Sequence, residues 1–342
     1  MIGGFKMKAK VMNKNEIMQV TEMKSIIRVV ENVYCMKSKG ETVVWPTTFH
    51  VFEEGKADMD IKSGYLPSQG VFGHKTVSFF AENVAKGLPT LVGVINVFDA
   101  KTGCLTGILE GAYITGIRTG AAGAIGAKYL AGKNSETLFI LGAGNQAAFQ
   151  IAACITTFPA LKKVYVADVL NHENAVRFVN GIQERLAKEF GIDTSGIRFE
   201  AAADLSEAVP DSDIVITVTP SRAPVIKKEW IRPGMHLSCI GADAEGKEEI
   251  EPEIFRNAKV FVDDMYHCVE AGESEIPIKR GMIEKENLTE IGKLISGECD
   301  GRSSDEDITI FDATGMALMD IAAANVALAM AEEKGLGTDI EL

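Results

Sequence analysis

The sequence lacks the marks of several broad classes. Its six cysteines, Cys35, Cys104, Cys154, Cys239, Cys268 and Cys299, are scattered and form no C-x-x-C pair. That spacing argues against a disulfide framework and against a structural zinc site, and no metal is expected. There is no run of about 18 uninterrupted apolar residues, so no membrane-spanning helix is expected. Met1–Lys8 lacks an apolar core of signal-peptide length, which makes the cytoplasm the expected compartment. Positive charge is also short: 35 Lys and Arg stand against 48 Asp and Glu, a formal net charge of −13. Nucleic acids and anionic membrane surfaces both demand a basic footprint, so neither is an expected partner. Repeats and low-complexity linkers are absent. What remains is an ordinary globular composition, 46% hydrophobic and 24% charged, over 342 residues, long enough for two domains.

The stretch Thr137–Phe149 reads as a short apolar strand, a glycine turn and the start of a helix. A dinucleotide needs that order. Gly142 permits the tight turn, Gly144 lets backbone approach a diphosphate, and Ala147 or Ala148 is small enough for helix-on-strand packing. The N–H groups at the helix start then face the phosphates, where the helix dipole favours negative charge. A Gly-x-Gly turn alone is a weak signal, since such turns occur where nothing binds. The next apolar run, Lys163–Asp168, strengthens it by ending in a carboxylate at the place where a ribose 2′-hydroxyl would be gripped. No arginine follows Asp168 closely, so NAD is expected in preference to NADP.

Around this motif the chain alternates in period. Residues 15–39 carry apolar positions suited to one amphipathic helix or two short ones. Strands are expected over Thr42–Phe52, Ala57–Tyr65, Gly70–Phe80 and Leu91–Phe98, with Glu53-Glu54-Gly55 as a hairpin turn. Ile114–Leu130 is a helix rich in small residues, whose glycines suggest close backbone packing against the sheet or across a subunit interface. Helices and apolar strands then alternate: 172–190, 197–202, 213–219, 234–241, 258–264 and 307–312. Met316–Ala331 is a final Ala-rich helix. This order predicts an α/β protein in which a Rossmann, doubly wound parallel sheet is inserted into a split α+β substrate and dimerisation domain. The expected divisions are 1–125, 126–308 and 309–342.

Few residues stand out for chemistry. Lys75 sits mid-strand among Val71, Phe72, Val77 and Phe79; burial would lower its pKa for proton transfer, or its charge would hold a substrate carboxylate. The alternative is a lysine snorkelling from a sheet edge. Asp243 follows the 234–241 strand, in the crevice where open α/β sheets bind ligands, or else it stabilises a turn. Thr217 and Thr219 would touch a nicotinamide ribose or close a turn. Arg118, embedded among small apolar residues, calls for an anion from phosphate, substrate or protein. Of the five histidines, only His74, beside Lys75, invites a test.

The segments Gly87–Thr90, Ile117–Ala122, Gly142–Gln146, Thr219–Pro224, Gly241–Lys247 and Phe311–Gly315 together resemble the ornithine cyclodeaminase/mu-crystallin family, in order over roughly residues 10–335. The resemblance implies a homodimer with an inserted Rossmann domain and a small amino, keto or imino acid as substrate. It implies that Lys75 is the catalytic, substrate-facing lysine and Asp243 the acid/base aspartate. Arg118 and Thr90 look like residues near cofactor and substrate, and Asn145, Gln146, Asp168, Thr219, Gly241 and Lys247 match positions that line the NAD site. One departure bears on substrate binding. Family members that bind an α-amino acid usually supply an arginine from the early strands, and Val44–His50 contains none, leaving Lys62 as the nearest substitute cation. Lysine offers a point charge where arginine offers a bidentate fork. The wording of Thr219–Trp230 and Gly301–Asp312 leans toward alanine dehydrogenases. The expected activity is therefore NAD-dependent oxidoreduction at a C–N bond. The alternatives are an ornithine or lysine cyclodeaminase using catalytic NAD, and a mu-crystallin-like ketimine reductase or NAD(P)H-binding protein.

Overall fold

A computed structural model describes residues 7–342. The chain forms two compact units, one running to Arg118 and resuming at Met316–Leu342, the other Thr119–Gly315. These limits differ from the expected divisions after 125 and 308. The later limit moves because Ile308–Asp312 pairs inside the parallel sheet of the second unit, instead of opening the C-terminal return.

The first unit holds β1 (Lys8–Met12), α1 (Lys14–Met18), α2 (Met23–Ser38), β2 (Val43–Glu53), β3 (Ala57–Leu66), β4 (Val71–Phe80), β5 (Leu91–Asp99) and β6 (Leu105–Glu110). The C-terminal helix Ala317–Lys334 and strand Thr338–Glu341 complete it. Its seven-stranded sheet runs in the order Thr338–Glu341, β1, β6, β5, β4, β3, β2. The β2–β3 hairpin turns at the expected place, where Gly55 takes a φ of +67°. β1, β6 and the last strand escaped the sequence reading: they are short, and Lys8, Lys10 and Gly107 dilute their apolar alternation. Asn13 caps α1 with Glu16 in a capping box, which separates it from α2, so the two-helix alternative holds.

One face of this sheet carries the Ala-rich C-terminal helix. Gly64, Gly73, Val97 and Gly107 are register partners in one row across four strands. The row lets the helix approach: a Cβ on Gly107 would lie 2.5 Å from Leu328 Cδ1. The opposite face presents apolar side chains. On it Trp45 meets Phe72 edge-on, Phe72 stacks on Phe98 with ring centroids 5.0 Å apart, and Phe52 packs beside Phe80. Trp45, Phe52, Phe80, Val92 and Val94 remain exposed there.

The second unit begins within α3 (Gly111–Leu130), whose first turn is capped by the Glu110 carboxylate through Ala112 N and Tyr113 N. Then come β7 (Thr137–Leu141), α4 (Asn145–Thr157), β8 (Lys163–Ala167), α5 (His172–Phe190), β9 (Arg198–Ala201), β10 (Ile214–Thr217), β11 (Arg222–Ile226), β12 (His236–Cys239), β13 (Glu248–Ile250), β14 (Ala258–Val262), β15 (Leu288–Glu290) and β16 (Ile308–Asp312). Eight strands form an all-parallel sheet in the order β15-β14-β16-β12-β10-β7-β8-β9, and β11 pairs with β13 apart from it. Parallel strands covered on both faces read as continuous apolar runs; β10 and β12 are buried throughout, and β7 at every residue after Thr137. The expected small-residue packing of α3 is intramolecular: at Gly120 and Gly126 a Cβ would collide with Phe149 O and the Phe311 ring. Among the described residues, no helix is long and apolar enough to cross a membrane.

Candidate active site

In the second unit, strand order reverses between β7 and β10, and open α/β sheets bind ligands in the crevice outside the carboxyl ends of the strands at such a point. Gly142 follows β7 there at φ +113°, and its N–H donates to Ala167 O at 2.8 Å. A Cβ on it would sit 3.0 Å from Val218 O and 3.2 Å from Thr219 Cγ2, so the turn closes directly against the loop after β10. Gly144 N-caps α4, no side chain caps that helix, and a Cβ at Gly144 would meet nothing within 4 Å. This is an open cradle with helix N–H groups at its rim, the shape and polarity a diphosphate requires. Asn145 and Gln146 form the first turn; the Asn145 amide oxygen accepts from Arg185 Nη2 at 2.6 Å, a cation that the sequence reading did not place here.

Asp168 stands just past the end of β8. Its Oδ1 accepts from Leu170 N, Asn171 N and Asn174 Nδ2, which fixes the carboxylate on a tight turn beside the exposed Leu170. Beyond β12, Gly241 leads to the exposed Asp243, which is ion-paired with Lys247 four residues on. That contact realises the turn reading of Asp243–Lys247 while leaving the carboxylate at the sheet's carboxyl edge. Thr217 and Thr219 both direct their hydroxyls to Glu249.

In the first unit, Lys75 is buried, with 2% of its surface exposed, and does not snorkel. Its Nζ lies 3.1 Å from Asp320 Oδ2 and donates to Thr115 Oγ1 at 3.3 Å. Arg118 Nε meets the other oxygen of Asp320 at 3.0 Å. The anion that Arg118 called for is thus a protein carboxylate, and the two cations share it. Burial pushes the Lys75 ammonium down to about 8, against the opposing pull of Asp320. Burial alone would raise the Asp320 carboxyl, yet Arg118 and Lys75 hold it below the usual range. Lys62 is the direct cross-strand partner of Lys75, so both project from one face, and Lys62 forms no ion pair with any described residue. Thr90 contributes its carbonyl, which accepts from Phe80 N at the end of the β4–β5 pair. His74 follows strand alternation onto the opposite face, near Asn96 and Phe98, and shares no chemistry with Lys75.

Comparison with known proteins matches this architecture. The family model for the ornithine cyclodeaminase/mu-crystallin family matches residues 7–335. The chain belongs to the ornithine cyclodeaminase/mu-crystallin family. Within it, the chain is 34% identical over 337 residues to an alanine dehydrogenase of Archaeoglobus fulgidus, covering 98% of this chain and 99% of that one. It superposes on an archaeal alanine dehydrogenase dimer with bound NAD at a TM-score of 0.88 and 35% identity, covering 98% and 99% of the two chains. A Thermococcus litoralis Δ1-pyrroline-2-carboxylate reductase, solved with NADH and L-proline, matches at 0.87 and 32% identity over 97% of this chain and 100% of that one.

Its two ion pairs make Asp320 the main residue that sequence reasoning missed. A signal existed: Asp320 is the only charged residue between Met316 and Ala331, in a helix otherwise fit for complete burial. The rule that demanded an anion for Arg118 demands a cation for Asp320. Glu249 was missed for a different reason, since Glu248-Glu249 looks like a solvated pair on the page and both are buried in the fold.

Proposed function

We propose that this family member is an NAD-dependent oxidoreductase acting on the C–N bond of a small amino or imino acid, in the manner of the alanine dehydrogenases and cyclic imine reductases it resembles. The observation that carries the reading is the open, uncapped start of α4 at the sheet's switch point, with a carboxylate ending the next strand. Gly142, Gly144, Asn145 and Gln146 would hold the diphosphate, Asp168 the adenosine ribose, and Thr219, Gly241 and Lys247 the nicotinamide half. When bound, the nicotinamide supplies a hydride acceptor or donor for the substrate's α-carbon.

The chain's own residues supply charge and protons. Lys62, which has no ion-pair partner among the described residues, would bind the substrate carboxylate in place of the arginine that β2 lacks, with Arg118, held at Nε by Asp320, beside it. Lys75, with a pKa near 8, holds or releases a proton at Nζ within the working pH range. Asp243, at the strand edge, moves a proton or orients the water or ammonia that attacks carbon. A second copy of the chain would cover the apolar face around Trp45, Phe72 and Phe80, giving a homodimer that light scattering would detect as twice the chain mass.

The deciding experiment is a screen of amino and keto acids with NAD(H) and NADP(H), run beside Lys75→Ala. Net NADH change that the variant abolishes, with NADH binding retained, supports the proposal. Ammonia release from ornithine or lysine with catalytic NAD and no net NADH would assign a cyclodeaminase instead. Tight NADH binding without turnover would assign a storage or binding role.

A further inference from the structure

At the carboxyl rim of the parallel sheet, three buried carboxylates are joined in a series. Asp312, at the end of β16, accepts from the N–H groups of Glu273 and Ser274 and from the Ser274 hydroxyl. Glu273 Oε1 in turn accepts from Glu249 N and Ile250 N, both at 2.8 Å. Glu249, 0% exposed, ends the series with four donors. Its Oε1 receives Thr219 N at 2.6 Å and Thr219 Oγ1 at 2.7 Å, and its Oε2 receives Thr217 Oγ1 at 2.6 Å and Gly241 N at 2.9 Å. Each acid therefore fixes the backbone of the segment that bears the next.

The last link ties together two loops that leave neighbouring parallel strands. A Cβ on Gly241 would lie 2.2 Å from Thr219 O and 2.6 Å from Glu249 Oε2, so the loops touch with the carboxylate between them. Neither loop has a regular strand partner at this point, and Glu249 supplies the acceptors that a ladder would otherwise provide. We propose that Glu249 is a positioning residue: its carboxylate sets the spacing of the 219 and 241 loops, and so fixes where the nicotinamide half of the cofactor and the Asp243 carboxylate lie. The inference rests on the NAD reading above and deepens it.

The geometry makes the residue type stringent. Both oxygens accept a backbone N–H, and a backbone N–H cannot turn away. A glutamine must therefore point its NH2 at one of them, whichever way the amide is flipped. Glu248 is the natural comparison. It too is buried and acidic, but its side chain makes no hydrogen bond to either loop.

The experiment compares Glu249→Gln with Glu248→Gln in the full-length protein. We expect Glu249→Gln to raise the Kd and KM for NADH about tenfold, leave the KM of the amino or keto acid unchanged, and speed amide exchange in peptides spanning 217–222 and 239–246 without ligand. Glu248→Gln should leave NADH affinity within about twofold, as expected of a group with no direct contact to the site. If Glu249→Gln fails to fold, Thr217→Val removes one of the four donors with little change of shape; a several-fold weakening of NADH supports the proposal. Unchanged NADH affinity in the variant that folds overturns it, as does equal weakening by Glu248→Gln. Wild-type protein that binds neither NADH nor NADPH would instead overturn the NAD reading itself, taking this inference with it.

Discussion

Asp320→Asn is the substitution whose consequences the structure specifies most fully. Asp320 is completely buried and serves two cations, Lys75 at 3.1 Å and Arg118 at 3.0 Å, whose side chains are 3% and 7% exposed. Removing one member of such a group strands the others in low dielectric and costs about 3–5 kcal/mol. The asparagine oxygen can still accept from Arg118 Nε, which recovers about 1 kcal/mol, while its amide nitrogen is no partner for the Lys75 ammonium. The net loss of about 2–4 kcal/mol lowers the melting temperature by about 5–15 °C for a unit of this size. The same substitution removes the charge that raises the Lys75 pKa, so that pKa falls below its present value of about 8. Two assays read these effects: thermal unfolding, and the pH profile of kcat/KM measured with whichever substrate turns over. A lower melting temperature is expected together with an inflection moved to the acid side. A melting temperature within a degree of wild type, or an inflection that stays put, would refute that expectation.

Other outcomes follow from the same contacts. The folded pKa of Lys75 lies below its ordinary value of 10.5, so between about pH 8 and 10.5 the unfolded chain binds a proton that the folded chain does not. Stability should therefore rise with pH across that window, and unfolding titrations of Lys75→Met should show a flatter rise. If Asp168 holds the adenosine ribose as proposed, Asp168→Ala should weaken NADH about tenfold and bring NADH and NADPH affinities closer together, as fluorescence titration would show. Gly142→Ala forces a side chain onto a φ of +113° and within 3.0 Å of Val218 O, and should cost about 1–3 kcal/mol with loss of measurable NADH binding.

Much of this fold was legible because its signals are local. β7, α4 and β8 announce themselves through apolar runs, paired glycines and a terminal carboxylate, and each lies where the sequence puts it. The edge strands of the first unit did not. Lys8 and Lys10 of β1 have the composition of a solvated tail, and only pairing with β6 and Thr338–Glu341 makes that segment a strand. The limit of the second unit was misplaced for a related reason: Ile308–Asp312 reads as a strand from sequence, but which sheet accepts it depends on partners far along the chain. Lys75 and Arg118 were recognisable as anomalies, charged residues among apolar ones. Their shared partner was not, because Asp320 lies some two hundred residues further on and only the folded unit brings the three together. His74 shows the converse: adjacency in sequence suggested shared chemistry, and strand alternation separates the pair.

Hydride transfer between a nicotinamide and the α-carbon of a small amino or imino acid is the activity assigned to this chain. It is tested most directly by following NADH absorbance as the purified protein is given NADH, ammonia and a panel of small α-keto acids, together with preformed cyclic imines. NADH consumption is expected with at least one of these, and its loss in Lys75→Ala. NADH that stays constant across the panel, in protein shown to bind it, would contradict the account.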